Sequence, residues 1–444
     1  MKNLMPKPAH SHEAPEMASV ELPSNLTVLS LLSILTGIVV GAICGTFRLL
    51  LNRADELRNV LSLHTFHNFP AGLFLIVIGS GTAFIAALLV KRLAPLASGS
   101  GIPHVEAVLA GLATPATIGL IPVKFVGGLL AIGGGLALGR EGPSVQMGAT
   151  AANTIGRLLR LGPADCRSLL AAGAGAGLAT AFNAPGAGAI FVLEELVGRF
   201  EARTVCSALG ASVSAILVAR ALLGGQPDFT VIDAPLVISV STQLLFLLTG
   251  LAVGLLSVVY NRTLLATLRV AEQINISVEV RAAVIGAIGG LVVWLAPHLA
   301  GGGDWITQSA INGTLVWTAL PLLYVMRLFF GSISYAAATP GGLFAPMLAL
   351  GALAGMGCGD LAHVLMPALA GQVTPFVIVG MAGMFAGAVR APLTGIILVT
   401  EMTNMPSLLL PLLSGSFAAM FVADGMGEAP IYEALRNRAA AEKR

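Results

Sequence analysis

Four glutamates, Glu141, Glu194, Glu195 and Glu401, stand deep in apolar stretches of the chain. A carboxylate in such surroundings is costly to keep, so an acid there marks ion or proton handling by default. Near them lie Gly-rich breaks followed by Pro: Gly99-Ser100-Gly101-Ile102-Pro103, Gly139-Arg140-Glu141-Gly142-Pro143, Gly341-Gly342-Leu343-Phe344-Ala345-Pro346, and the pair Asn183-Ala184-Pro185 and Arg390-Ala391-Pro392. Pro is tolerated in the first turn of a helix, where its missing N–H would have no partner, and Gly lets backbones approach closely. Exposed N–H groups at a helix start carry about half a positive charge, so several converging starts make an anion site without a full cation. Such a site replaces hydration yet still releases the ion. The chemistry on offer is weak anion binding beside a protonatable acid.

The elements that hold these residues must be membrane helices. Of 444 residues, 56% are hydrophobic and 10% are charged, against about a quarter charged in a soluble domain. The mean hydropathy is +0.88, and the 53 glycines fit close-packed membrane helices. A net charge of +2 gives no reason to expect nucleic acid, and Cys44, Cys166, Cys206 and Cys358 show neither a metal-ligand spacing nor a disulfide framework. No cofactor or metal is expected.

Residues 1–28 carry Lys2, Lys7, His10, His12, Glu13 and Glu16 and lack the apolar core of a signal peptide, so they read as a polar tail. Residues 424–444 read as a second polar tail. Between them, Ala234–Asn261, Leu328–Gly359 and Leu361–Val389 are free of Asp, Glu, Lys and Arg. Each exceeds the ~20 residues that cross a bilayer as helix, so each is expected to be two tilted or broken helices. Phe125–Gly139 is short and is expected to enter the membrane and stop inside it.

An internal repeat organises the chain. Ala184–Glu194 matches Ala391–Glu401 at an offset of 207, and Glu141–Gly148 matches Phe344–Gly351 at an offset of 203. One fold unit therefore spans 29–220 and its copy 234–423, joined by a linker at 221–233. Duplication with broken helices is the architecture of transporters whose site lies between the repeats. Hydropathy leaves open whether the halves are parallel or inverted. The repeat also sorts the acids. Glu194 aligns with Glu401, which reads as a structural pair that caps or bonds a neighbouring helix. Glu141 aligns with Phe344 and Glu195 with Met402, so these two acids occur in one half only, as a proton path on one side of an anion path requires. Adjacent helix residues point about 100° apart, so Glu194 and Glu195 cannot both face one pathway. The bland alternative for Glu195 is a solvated helix end before Gly198-Arg199.

Taken together, the motifs at 99–103, 139–143 and 341–346, with Phe182-Asn183-Ala184-Pro185, Val389–Gly395 and Tyr432 in Pro430-Ile431-Tyr432-Glu433, resemble the CLC family of chloride channels and chloride/proton antiporters. The likeness runs over nearly the whole chain, with the motifs in the family's order. It implies an all-α polytopic membrane protein of two inverted halves with tilted, partly spanning helices, assembled as a homodimer with one pore per subunit. By resemblance, Ser100 and Tyr432 ligate chloride through their hydroxyls, backbone at Gly142, Leu343 and Phe344 completes the site, and Glu141 is the external gate and proton acceptor. Family antiporters keep an acid where Glu195 stands, as the internal proton-transfer residue, which favours exchange over a passive channel. Chloride, protons and lipid are the implied partners, and a bacterial inner membrane with both tails cytoplasmic is the implied place. The family's nucleotide-sensing tail modules are not expected in the short C-terminal segment.

His104 stands where an acid is common, Gly186 replaces a larger apolar residue, and Glu106 and Lys124 are expected to pair nearby. Ser100 argues against nitrate, for which the family tends to place Pro there, and Tyr432 against the fluoride-type members. A hydrolase would need Ser100 activated by a base. His104 is four residues on, but Pro103 intervenes and no orienting acid is evident.

Overall fold

The computed structural model describes residues 26–65, 69–231, 240–367 and 373–441. Residues 1–25 of the first polar tail and 232–233 of the linker lie outside them. Seventeen α-helices and no strand occur among the described residues. The first half holds α1 (Leu26–Thr65), α2 (Phe69–Leu93), α3 (Ile102–Leu109), α4 (Leu120–Gly133), α5 (Glu141–Leu158), α6 (Pro163–Phe182), α7 (Pro185–Phe191) and α8 (Ala202–Leu223). The second holds α9 (Val240–Gln273), α10 (Val278–Leu295), α11 (Asp304–Ile311), α12 (Leu320–Tyr335), α13 (Phe344–Leu365), α14 (Val373–Val389), α15 (Pro392–Thr403) and α16 (Leu409–Gly425). A last helix, α17 (Ile431–Ala441), follows. The C-terminal segment read as a polar tail is thus a docked helix, with Ile431, Tyr432 and Leu435 buried.

The two halves repeat helix for helix, from α1 and α9 to α8 and α16, with equivalent pairs packed in each, α1 on α8 and α9 on α16. Among the described residues, eight helices (α1, α2, α8, α9, α10, α12, α13 and α16) are long and apolar enough to cross a membrane, while α4, α14 and α15 are shorter apolar helices. The protein is a multi-pass membrane protein. Lipid is as apolar as a leucine side chain, so its helices must associate through close packing rather than hydrophobic burial. Glycines supply that contact at the same places in both halves. A Cβ on Gly148 or Gly173 would collide with the other's backbone across α5 and α6, and Gly351 and Gly380 stand in the same relation across α13 and α14.

Breaks occur where Gly and Pro predict them. Pro103, Pro185 and Pro392 each occupy the first or second position of a helix, and Pro143 and Pro346 are the third residues of α5 and α13. Two of the three long charge-free runs divide as expected, between α12 and α13 and between α13 and α14. The third does not: Val240–Gln273 is one continuous helix of 34 residues. That run has no Pro between 240 and 261. Its Gly250 and Gly254 lie against the backbone of Gly415 and Ala419 in α16, serving close approach rather than a break.

Candidate functional site

Three loops cross at the centre of the molecule, before α3, α5 and α13. Gly99 N–H donates to Thr339 O (3.2 Å) and Gly341 N–H to Gly99 O (3.1 Å), while Gly139 and Gly342 exchange backbone hydrogen bonds of 2.9 and 2.7 Å. The starts of α5 and α13 are thereby laced together, with the start of α3 tied to the same strand-like segment. Glycine is required for this. A Cβ on Gly139 or Gly342 would strike the Glu141 carboxylate, and one on Gly142 would strike Ser100.

A buried cation holds the loop before α3, and its counterpart in the second half holds the loop before α11. Lys124 Nζ donates to the carbonyls of Ala97 (3.0 Å) and Gly99 (2.7 Å). Arg327, offset by 203, donates to Leu299 O (2.8 Å) and Gly301 O (2.7 Å). Both side chains are almost fully buried, which is tolerable because carbonyl dipoles replace their hydration. The expected Glu106–Lys124 pair is therefore not formed. Lys124 is spent on the loop that carries Ser100, and Glu106 Oε2 instead accepts from Arg436 Nη1 of α17 at 3.3 Å. Sequence reasoning missed Arg327, although the repeat offset pointed to it from Lys124.

Glu141 opens α5 and is fully buried, with Oε1 accepting from Phe344 N–H at 2.6 Å and the amides of Glu141 itself and Ala345 close by. Its carboxylate thus sits on the positive end of α13, where an anion is stabilised by unpaired amides. Leu343 and Phe344 form that helix start. Beside it, Ser100 (1% exposed) and Tyr432 (0%) are buried, and among the described residues neither hydroxyl has a hydrogen-bond partner. A buried unpaired hydroxyl costs about 1–3 kcal/mol, and both of these keep their donor capacity free at the start of α13. The Phe344 ring is packed among Phe182, Phe191, Phe385 and Tyr432 at centroid distances of 4.6–6.3 Å. Tyr432 is held in place because Asn261 and Arg390 bind the carbonyls just before α17.

The structure thus brings Glu141, Gly142, Ser100, Leu343, Phe344 and Tyr432 together. Glu195 stands apart from them, on a π-helical turn, Val192–Leu196, that continues α7. It meets Glu106, carboxyl to carboxyl, a contact that forms a hydrogen bond only with a proton between the two. Tyr432 is within electrostatic range of both Glu141 and Glu195.

The repeated acids do what their symmetry predicts. Glu194 accepts from Leu393 N–H (3.0 Å) and Thr394 N–H (2.7 Å) at the start of α15. Glu401 accepts from Gly186 N–H (3.0 Å) and Ala187 N–H (2.9 Å) at the start of α7. The unusual Gly186 belongs to this cap, since a Cβ there would lie 2.8 Å from Glu401 Oε1.

His104 is not aimed at Ser100. Its Nε2 lies 3.2 Å from Thr114 O and its Nδ1 3.4 Å from Gln146 Nε2, so no Ser–His nucleophile is assembled. Ser100 instead lines a cavity of about 1160 Å³, with Tyr335, His104, Arg281, Arg436 and Arg438 also on its wall. Near the other motif, Arg140 Nη1 is 3.7 Å from Asp304 Oδ2, and Asp304 lines a cavity of about 300 Å³ with Asp55, Arg58 and Trp305.

Arg140, directly before Glu141, is fixed by Ala181 O (2.9 Å) and by Asp228, whose other oxygen accepts from Arg48. Asp228 lies in the connection between the halves, which is itself anchored by Phe229 N–H on Met402 O (3.0 Å). Sequence reasoning passed over Asp228 as linker. Asp228→Asn leaves two largely buried guanidinium groups short of their counter-charge, and removing one partner of such a pair costs about 3 kcal/mol. Its unfolding midpoint in detergent is expected to fall clearly below wild type. An unchanged midpoint would show that water already compensates both arginines.

Comparison with known proteins matches residues 82–424 to the family described as voltage gated chloride channel. The chain belongs to that family. It is 40% identical over 417 residues to the H(+)/Cl(-) exchange transporter ClcA of Vibrio cholerae serotype O1, covering 92% of this chain and 88% of that protein. The protein of the same name from Vibrio campbellii is 38% identical over 430 residues, 94% and 90% of the two chains. Among solved structures, a slow cyanobacterial Cl-/H+ antiporter superposes with a TM-score of 0.88 at 30% identity, over 93% of this chain and 98% of that one. A eukaryotic CLC transporter does so at 0.78 and 22%, over 93% and 74%.

Proposed function

We propose that the protein exchanges chloride for protons across a bacterial inner membrane, as a homodimer with a complete site in each subunit. The observation that carries this reading is the Glu141 carboxylate seated on the Phe344 amide at 2.6 Å, with the unpaired hydroxyls of Ser100 and Tyr432 beside it. Carboxylate and chloride compete for the same amides. Protonation removes the charge that seats Glu141 there, so a proton switches the competition in favour of the anion. Ser100, Tyr432 and backbone at Gly142, Leu343 and Phe344 hold chloride, and the large cavity is its inner mouth, where Arg281, Arg436 and Arg438 favour anion entry. Glu195 delivers protons from the inner side. The names of the relatives support exchange, and an acid at Glu195 favours it over passive conduction.

Vesicles containing only this protein, loaded with high chloride and diluted into low chloride, test the proposal with a pH electrode. Chloride efflux is expected to drive protons inward against their own gradient. Chloride flux with no linked proton movement would identify a channel instead.

A further inference from the structure

The chain has 4 tyrosines, and one that the reading above does not use stands at the edge of the site. Tyr335 ends α12 and lines the large cavity together with Ser100. It is 9% exposed. The Ser100 N–H donates to its hydroxyl oxygen at 3.3 Å. Gly99, at φ +60°, makes room for that contact, since a Cβ there would lie 3.0 Å from the phenol oxygen. The Tyr335 oxygen therefore acts as an acceptor, while its own O–H proton has no acceptor among the described residues. An apolar wall would be served equally well by phenylalanine, without the cost of burying a half-used hydroxyl.

We infer that Tyr335 is a further halide ligand, donating its O–H to chloride as the ion passes between the inner cavity and the Ser100–Tyr432 site. The inference rests on Ser100 and Tyr432 being chloride ligands. The phenol would then hold the Ser100 amide with its lone pair and the anion with its proton. A desolvating chloride would meet this donor before it reaches the buried pair, and the site would have three hydroxyls rather than two.

The test compares Tyr335→Phe with Tyr432→Phe in purified, chloride-free protein titrated with sodium chloride by calorimetry, and in oriented vesicles with chloride varied on the cavity side alone. Tyr335→Phe is expected to raise the cavity-side half-saturating chloride concentration by roughly three- to tenfold, the effect of one neutral hydrogen bond. Its proton-to-chloride ratio stays at the wild-type value, which a general loosening of the site would not preserve. If Tyr432→Phe weakens chloride binding and a folded Tyr335→Phe protein does not, this inference fails and the reading of the site stands. If neither variant changes chloride binding, the reading of the site fails and this inference with it. Tyr335→Leu, which removes the donor with a side chain of different shape, decides the matter should the phenylalanine variant not fold.

Discussion

Glu141→Gln is expected to abolish proton coupling while anion flux persists or rises. The amide is close in size to the carboxyl and fits the pocket left free by Gly139 and Gly342, so the fold is retained. It cannot accept and release a proton, and it carries no charge to compete for the positive end of α13. A hydrogen bond to a charged group contributes about 1.5–3 kcal/mol, so losing it raises anion occupancy at the Phe344 amide roughly tenfold or more. Two measurements on reconstituted protein decide this: chloride efflux by electrode, and proton uptake driven by the same gradient. Chloride-driven proton uptake at the wild-type level in the variant would sink the assignment of Glu141 as the gate.

Those parts of the site that depend on repeated side chains were legible in the sequence. Glu194 and Glu401 occupy equivalent positions in two matching segments, and each caps the helix that carries the other. The prolines mark helix starts because their chemistry restricts them to first turns. Partners that are backbone carbonyls were not legible, since every residue type carries one. Lys124 was therefore matched to the nearest acid, Glu106, whereas it binds Ala97 O and Gly99 O. Asp228 was hidden for a different reason: it reads as a linker residue until the fold brings Arg48 of α1 and Arg140, just before α5, to it. In Val240–Gln273 the glycines were ambiguous between breaking a helix and letting another approach, and only the position of α16 resolves that. Tyr335 lacked a signal because the residue it meets, Ser100, is 235 positions away.

At the crossing of the helix starts, the nearby full positive charges are spent on other partners. Arg140 follows Gly139 at the central crossing, yet its guanidinium is taken by Ala181 O and Asp228. Lys124 and Arg327 are taken by carbonyls. What faces the proposed chloride site is a set of amides and hydroxyls, whose partial charges would replace hydration without trapping the ion. In the proposed mechanism a carboxylate competes with chloride only because the site is this weak, so weak binding and proton control would be two consequences of one arrangement.

Glu195→Gln is expected to stop proton transfer and leave chloride movement in place. Glu194 and Glu195 share the π-helical turn at 192–196, a distortion found mostly where function demands it. The turn sends the first acid to the amides of α15 and the second to Glu106. Glutamine at 195 still donates a hydrogen bond to the Glu106 carboxylate, so the contact and the fold survive while the exchangeable proton is lost. Glu194→Gln and Glu401→Gln differ in kind: each weakens a helix cap, worth about 1 kcal/mol, and lowers stability with the proton-to-chloride ratio unchanged. The decisive comparison gives all three proteins the same chloride gradient in vesicles fitted with a pH electrode. If Glu195→Gln pumps protons at the wild-type ratio, the Glu195–Glu106 contact is a packing contact only, and exchange would rest on Glu141 alone.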